Sequence, residues 1–367
     1  MGNSEVVAGQ KSASRTSCRD LPQGGGLHLK PIPGGLYVEG VGYLGRNETP
    51  TGAFSFDDRV YVFVLVTHLD KQFVDKPFAD KQFGCHLVST DDPIQSKPYQ
   101  YEGLVSAFPG PTRDYSLERG FHNVAPCVVK NAEHPGLPLP DGEGVIMFGH
   151  GFNALSRTEA IHLAWMPAIR RPRELSNSRF GPRLDQIQYY SGHPTNLWSH
   201  QAERCVALFW LRHQAAWVSA VWQAEAQRWI LLYSTSNDTD APDAPIMARI
   251  GKSLWDWSDE IELFNPRREL AYGRYMHWPC MDELTDPDRP PGETGHAYGT
   301  YLLDGFSKWD PSSQELDLYY LLSTWRPYQV QVIHSTLRLH SLTLAVKQFS
   351  PSLGPEQGTT VSFILPY

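Results

Sequence analysis

The 367-residue sequence predicts an all-β protein and favours a β-propeller over a sandwich or a barrel. Short runs rich in β-branched and aromatic residues recur along the chain, and few segments sustain a helical period. The 30 glycines and 29 prolines favour frequent turns over long helices. A loose unit also recurs, in pattern rather than in letters: an opening strand with small residues, a strongly apolar strand, then a strand with polar alternation. Four strands in such a unit are typical of a propeller blade.

The strand-like runs divide the chain into three parts. Residues 1–34 are polar and rich in Gly and Ser, which predicts a mostly disordered lead-in. Residues 35–340 form the predicted propeller domain, and 341–367 a tail without a clear partner strand. Strands are predicted, in chain order, at 52–56, 60–66, 84–90, 123–129, 144–150, 160–166, 187–192, 206–211, 217–222, 229–235, 246–250, 260–264, 272–278, 298–306, 316–324 and 330–339.

Composition excludes several classes of function. The formal net charge of -8 argues against nucleic-acid binding, which uses a basic surface. No apolar stretch is long enough to span a membrane, and the start has no signal-peptide core, so the sequence as written predicts a cytoplasmic protein. No cofactor is expected, because no P-loop, HExxH or nucleotide-binding glycine motif is present. A monomer is expected. None of the 14 histidines has tight metal-ligand spacing, so no metal site is predicted.

The five cysteines are far apart and odd in number, and no CxxC pair occurs. This pattern favours buried or half-buried free thiols over a disulfide framework. The cysteines are Cys18, Cys85, Cys127, Cys205 and Cys280.

Three stretches together resemble a known family: TPTGAFSFDDRVYVFV (49–64), WVSAVW…RWILLY (217–233) and YGRYMHWP…YGTYLL…LYYLLSTWRPYQV (272–330). They are similar to the family called domain of unknown function 4185, five-bladed β-propellers of which some members are glycoside hydrolases of family 183, endo-D-arabinofuranases. The likeness runs from about Gly35 to Leu339. It implies a five-bladed propeller with a funnel at one end that holds a furanoside.

One departure from the family pattern concerns the start of the domain. Family members often carry a further blade before PTGAF with two acidic strand motifs, and here the short GGLYVEGVGYLG precedes that point. Either the chain is truncated, or its first blade is divergent or incomplete, or the protein is not a hydrolase. Two alternatives to a furanoside hydrolase therefore stay open. One is a non-catalytic carbohydrate-binding propeller, and the other is an intracellular enzyme that modifies a small molecule. The resemblance itself would imply a secreted protein.

Candidate catalytic residues follow from the chemistry of glycoside hydrolysis, which normally needs two carboxyl groups flanking the scissile bond. The acids nearest the presumed inner strands are Glu48, Glu159 and Asp304. Glu48 lies just before the PTGAF strand, although an exposed acid is the alternative. Glu159 precedes the strand AIHLAW. Asp304 has a competing interpretation as a turn aspartate, because Gly305 follows it.

Candidate substrate-binding residues are aromatic or polar side chains expected around the funnel. Arg157 could bond a sugar hydroxyl or make a surface ion pair. Tyr275 and His277 alternate and should face one side of a strand, either the channel or the core. Trp325 could stack on a sugar or pack the last blade against the first. The full set is Asn123, Arg157, Tyr275, His277, Tyr298, Trp325 and Tyr328.

Overall fold

A computed structural model gives the fold of the chain. It describes residues 38–39, 48–66, 84–91, 98–107, 121, 123–152, 159–170, 181–193, 195–212, 215–235, 245–274, 276–277, 295–325 and 329–339. In these ranges the regular elements are nineteen β-strands and short 3-10 turns. The all-β prediction is confirmed. No helix in these ranges is long and apolar enough to cross a membrane.

Two four-stranded antiparallel sheets form the first and third blades. Each sheet keeps chain order from its first to its last strand, so that hairpins connect neighbouring strands. Blade 1 contains β1 (Glu48–Phe56), β2 (Arg59–Val66), β3 (Gly84–Thr90) and β4 (Gln100–Ala107). Blade 3 contains β12 (Ala215–Gln223), β13 (Arg228–Thr235), β14 (Ile246–Gly251) and β15 (Ile261–Phe264).

Blade 2 has a divided outer row. Its third strand, β7, pairs with β6 on one side and with three short strands on the other. The strands are β5 (Asn123–Lys130), β6 (Glu143–Phe152), β7 (Glu159–Ile169), β8 (Gly181–Pro182), β9 (Gln188–His193), β10 (Asn196–Ser199) and β11 (Ala207–Trp210).

Blade 4 is built around one long strand. β18 (Glu315–Trp325) pairs along its whole length with β19 (Gln329–Arg338). Its other edge is shared by β16 (His296–Leu302) and β17 (Lys308–Asp310). The link STWRPY therefore joins β18 to β19, as the sequence predicts for two strands of one blade.

The first strands of the four blades are neighbours in space. β1 contacts β5, β5 contacts β12, and β12 contacts β16. Such a row of neighbouring inner strands, with each described sheet extending outward, is the arrangement of a propeller, and this prediction is confirmed. We call the end at which the four inner strands begin the upper end, and the opposite end the lower end.

Apolar layers between adjacent blades hold this arrangement together. Phe63 and Met147 are fully buried between blades 1 and 2, Phe148 and Trp229 between blades 2 and 3, and Tyr320 in the layer between blades 3 and 4. Side chains alternate along each strand, so one blade supplies the packing of two layers. Each fully buried side chain of this size stabilises the fold by about 1.5–3 kcal/mol.

Gly52, in the PTGAF stretch, is a point of close approach between two inner strands. A Cβ atom built there would overlap the carbonyl oxygen of Val124 and lie 2.6 Å from Cδ of Pro126. β1 and β5 could not keep their present spacing if this residue carried a side chain. The glycine of PTGAF is therefore required for steric reasons, because a side chain would clash where blades 1 and 2 meet.

A histidine is enclosed by aromatic rings at the lower end of blades 2 and 3. The ring centroid of His134 lies 4.8 Å from that of Trp222 and 5.0 Å from that of Trp229. The residue is buried, and among the described residues its Nε2 atom has no hydrogen-bond partner. Burial lowers the pKa of His134, because an apolar site disfavours the imidazolium.

The structure differs from the predicted strands in two places. In the segment predicted as a strand at 272–278, the described residues 272–274 and 276–277 form no strand: Tyr272 makes an isolated bridge with Met276, and Gly273 lies in a turn at a φ of 72°. The predicted strand at 298–306 ends at Leu302, and a 3-10 turn follows. Turn-forming Gly residues outweighed the alternation in both stretches.

Two further comparisons concern an edge strand and the cysteines. Strand β4, of sequence QYEGLVSA, was missed because polar residues interrupt its apolar pattern, which is typical of an outer strand. Three described cysteines, Cys85, Cys127 and Cys205, are free, as predicted.

Replacing Gly52 with Ala should lower the free energy of unfolding by about 1–3 kcal/mol, the usual cost of overpacking. This exceeds the roughly 0.4–1 kcal/mol that the substitution gains by restricting the unfolded chain. Gly305→Ala is the matched control, because nothing lies within 4 Å of a Cβ built there. Urea denaturation of both variants tests this, and equal stability of the two would contradict the close approach.

His134 should make stability depend on pH. Its folded-state pKa is lowered, so its contribution is fully present above the unfolded value of 6.5 and is lost as pH falls below it. We expect His134→Phe, which keeps a ring between the two tryptophans, to lose less stability than the wild type between pH 7 and pH 5, as measured by urea denaturation at ~pH 7 and ~pH 5. An unchanged acid dependence in this variant would contradict the assignment.

Candidate functional site

The upper end of the blades gathers buried polar side chains. Thr51 lies near the start of β1, Asn123 starts β5, His150 lies near the end of β6 and Thr324 near the end of β18. Antiparallel pairing brings the starts of inner strands and the ends of second strands to one end of every blade. This end therefore presents groups that can donate and accept hydrogen bonds.

Three of the four inner strands are bulged close to their starts. The register shifts between Pro50 and Gly52 in β1, between Ala215 and Trp217 in β12, and between Ala297 and Gly299 in β16. A bulge re-aims side chains and twists the strand, and bulges are enriched next to active sites. The three bulges all lie at the upper end.

The bulge in β1 also joins two blades. Thr51, the extra residue of this bulge, donates from its hydroxyl to the carbonyl oxygen of Phe63 at 3.4 Å. The same hydroxyl oxygen accepts from the backbone N–H of Val124 at 3.5 Å. The irregular start of β1 is thus fixed against β5.

A buried amide–imidazole pair lies beside this junction. Asn123 and His150 are directly opposite each other in the β5–β6 register, and Nδ2 of the asparagine lies 2.6 Å from Nε2 of the histidine. An amide NH₂ group can only donate, so His150 accepts at Nε2 and carries its proton on Nδ1. The pair fixes the orientation of both side chains at the inner edge of blade 2.

The predicted acids are placed at two different ends. Glu48 opens β1 opposite Val66, and Glu159 opens β7 opposite Phe152, both at the upper end. Their side chains lie outside the described residues. Asp304 lies in the 3-10 turn after β16, at the lower end, so the structure separates it from the other two.

Asp304 is nevertheless electrostatically distinctive. Partial burial of its carboxyl raises the pKa of this group above its usual range. Its charge in turn helps to raise the pKa of the Cys127 thiol, although burial is the main cause, and brings that value to about 12.

The predicted binding residues fall at or near the upper end where they are described. His277 is buried, and its carbonyl oxygen accepts from the N–H of Gly295 at 3.1 Å, directly before β16. Tyr298 coincides with the bulge in β16, and Trp325 is the last residue of β18, opposite His296. The side chains of Tyr298 and Trp325 are outside the described part of the structure. Arg157, Tyr275 and Tyr328 also lie outside the described residues. The alternation predicted for Tyr275 and His277 stays a prediction, because Tyr275 lies outside the described residues.

Sequence reasoning missed two features. His150 ends the apolar run GVIMFGH, and an imidazole that closes a buried strand next to Asn123 is the signal that could have identified it. The second feature is a charged cluster around Glu260, between blades 2 and 3, whose members are far apart in sequence. Among the described residues, no group of three or more His, Cys, Asp and Glu side chains could hold a metal ion.

Comparison with known proteins gives no family. No protein-family profile matches the chain, and no curated protein does either. The resemblance to domain of unknown function 4185 thus stays a prediction.

Several solved structures of carbohydrate-related proteins are similar to this chain, with low sequence identity and low TM-scores. The α-L-arabinofuranosidase Arb93A from Fusarium graminearum is 10% identical, with a TM-score of 0.36, over 80% of this chain and 64% of its own. An N-acetylgalactosamine deacetylase from F. plautii is 8% identical, with a TM-score of 0.36, over 78% and 72%. The endo-1,5-α-L-arabinanase from Thermotoga petrophila RKU-1 is 10% identical, with a TM-score of 0.29, over 78% and 56%. This chain thus spans less than two thirds of the arabinofuranosidase and the arabinanase, and such low scores carry no argument about its activity.

The raised pKa of Asp304 predicts the effect of neutralising it. A carboxyl with a raised folded pKa contributes stability below its unfolded pKa and loses it as pH rises through the folded value. We therefore expect Asp304→Asn to raise the melting temperature at pH 7, with the gain disappearing near ~pH 3.

Asp310→Asn is the matched control for that experiment. Hydrogen bonds from Ser312 and Ser313 lower the pKa of Asp310 to about 2, so its removal should lower the melting temperature at pH 7. Melting shifts of the same sign in both variants would contradict the assignment of Asp304.

Proposed function

We propose that the protein binds carbohydrate at the upper end of the propeller and hydrolyses a furanoside there. The observation that carries this proposal is the set of three bulged inner strands around the buried Asn123–His150 pair. Irregular strand starts are where a propeller can re-aim side chains into its central funnel. The likeness of PTGAF and STWRPY to a glycoside hydrolase family agrees with this location.

The polar groups of the upper end suit a ligand rich in hydroxyls. A sugar hydroxyl both donates and accepts, so its recognition needs side chains of both kinds at fixed positions. The Asn123–His150 pair, joined at 2.6 Å between Nδ2 and Nε2, combines an amide and an imidazole at this end. The mutual hydrogen bond holds both groups in place, which reduces the ordering cost of binding.

Two carboxylates at the upper end would carry out the hydrolysis. We assign Glu48 and Glu159 as the pair, because each opens a strand at the upper end, on blades 1 and 2, which are adjacent. One would protonate the leaving oxygen, and the other would act as nucleophile or as base toward water. A separation of about 5–5.5 Å would give retention and about 6.5–9.5 Å inversion.

A non-catalytic carbohydrate-binding protein is the second candidate. It is favoured by the position of Glu159, which opens β7, the third strand of blade 2 and about 10 Å outward from the inner strand, while Asp304 lies at the opposite end. Such a protein would keep the Asn123–His150 pair and turn over no substrate.

The test separates binding from turnover. Glu48→Gln and Glu159→Gln should lower kcat on arabino-oligosaccharides by about 10²–10⁴-fold while the affinity changes little, because they remove acid–base catalysis. Asn123→Ala should instead weaken binding, as measured by calorimetry. Glu133→Gln, in the exposed loop at the lower end, is the control and should match the wild type.

The outcomes distinguish the two candidates. Turnover that survives in both glutamine variants would reject this pair as the catalytic acids. Sugar binding by a wild type that releases no product would establish the non-catalytic candidate. Unchanged affinity in Asn123→Ala would reject the upper end as the binding site.

A further inference from the structure

Trp210, the last residue of β11, is unusual among the described tryptophans. Trp210 is 56% exposed, whereas Trp165 and Trp229 are fully buried in the layers between blades. Phe209, its neighbour, packs against the layer between blades 2 and 3. Because side chains alternate along a strand, the same strand that buries Phe209 turns Trp210 to the opposite face.

The backbone that carries Trp210 is anchored by a buried cluster. Nη2 of Arg249 donates to the carbonyl oxygen of Trp210 at 3.1 Å, and the guanidinium of Arg249 lies 4.5 Å from the ring centroid of Phe209. The backbone N–H of Arg212 donates to Oε1 of Glu260 at 2.9 Å. Residues 209–212 are thus fixed on both sides of Trp210.

Glu260 is the centre of that cluster. Its side chain is 2% exposed, it accepts from the hydroxyl of Tyr233 at 2.5 Å, and the guanidinium groups of Arg249 and Arg212 lie 3.8 and 3.6 Å from its oxygens. Burial, followed by the hydrogen bond to Glu260, raises the pKa of Tyr233. A buried ion pair adds little net stability against an apolar alternative, but this cluster bonds the backbone on both sides of residue 211 and so fixes its geometry.

The register places Trp210 at the same upper end as the proposed site, on the opposite face of blade 2. Asn123 is opposite His150, which is opposite Ile161, and Ile161 is opposite Phe209. This row crosses three strand spacings, so Phe209 lies about 14 Å outward from the inner edge. Trp210 is the next residue of β11, opposite Ala160, the residue after Glu159, and its side chain faces away from that of Phe209.

We infer that Trp210 is an outer sugar-binding platform at the upper end, on which one ring of an oligosaccharide stacks. This inference rests on the proposed function for the identity of the ligand class. An exposed indole offers a flat apolar face to the C–H groups of a sugar ring. Its anchored backbone keeps that face in position before binding, so little ordering is needed.

The matched variants are Trp210→Ala, Trp210→Phe and Val206→Ala. Val206 is also an exposed apolar residue, shortly before β11 and outside the anchored stretch. Trp210→Ala should weaken binding about tenfold, whereas Trp210→Phe should retain most of the affinity and Val206→Ala all of it. Calorimetry is performed with a neutral arabino-oligosaccharide and, separately, with an oligogalacturonate, since a sugar ring of either type could stack on the indole.

A second measurement tests the anchoring itself. Glu260→Gln should increase amide hydrogen exchange in residues 209–212 and weaken binding in the same direction as Trp210→Ala. Thermal melting of Trp210→Ala should match the wild type, because the ring is exposed. Unchanged exchange in 209–212 of Glu260→Gln would contradict the anchoring role.

The outcomes separate this inference from the proposed function. If Asn123→Ala loses binding and Trp210→Ala keeps it, the platform is overturned and the funnel site stands. If Trp210→Ala loses binding and Asn123→Ala keeps it, the platform stands and the funnel site is overturned. Binding of neither oligosaccharide by the wild type overturns both. Loss of self-association in Trp210→Ala, without any change in sugar affinity, would show a protein contact and overturn the platform.

Discussion

The close approach of the inner strands is the constraint on which the rest of the structure depends. β1 and β5 approach so closely at Gly52 that a single Cβ atom would overlap the neighbouring backbone. A comparable link exists between blades 3 and 4, where the N–H of Leu302 donates to the hydroxyl of Ser219 at 3.0 Å. Because the inner strands are held this closely, the sheets must fan outward, and their apolar faces meet in layers. The same contacts bring the four strand starts to one end.

The two ends of the blades then acquire different chemistry. At the lower end, aromatic rings enclose His134 and favour its uncharged form. At the upper end, Thr51 accepts a hydrogen bond from the backbone of Val124, and Asn123 is hydrogen-bonded to His150, beside strand bulges. A desolvated apolar environment is suited to stability, whereas oriented donors and acceptors are suited to recognition. The asymmetry therefore supports the upper end as the working end of the molecule.

The sequence was most informative where local pattern and tertiary position agree. The buried strands of all four blades were predicted with small errors at their ends, because their β-branched and aromatic runs are long and flanked by turn residues. The pattern failed at 272–274, where Gly273 adopts a positive φ, and in the polar outer strand β4. Glu48 and Glu159 share one end because the antiparallel register places them there, which the sequence alone does not show. Nothing in LLDGF reveals that Asp304 lies at the opposite end from these two acids. His150 and Glu260 depend on partners distant in sequence, which a single chain read in order does not reveal.

Preorganisation connects the inner and the outer parts of blade 2. At the inner edge, a buried amide–imidazole pair fixes two polar groups, and at the outer edge a buried carboxylate fixes the backbone around an exposed indole. Both devices bury polar groups and fix geometry, and the register row that starts at Asn123 ends at Phe209, the residue before Trp210. A sheet is stiff along its hydrogen-bonded rows, so the spacing between the two positions is set by the strands and not by flexible loops. A ligand that engages both must have an extended, repetitive form, and an oligosaccharide chain satisfies that requirement better than a compact small molecule does.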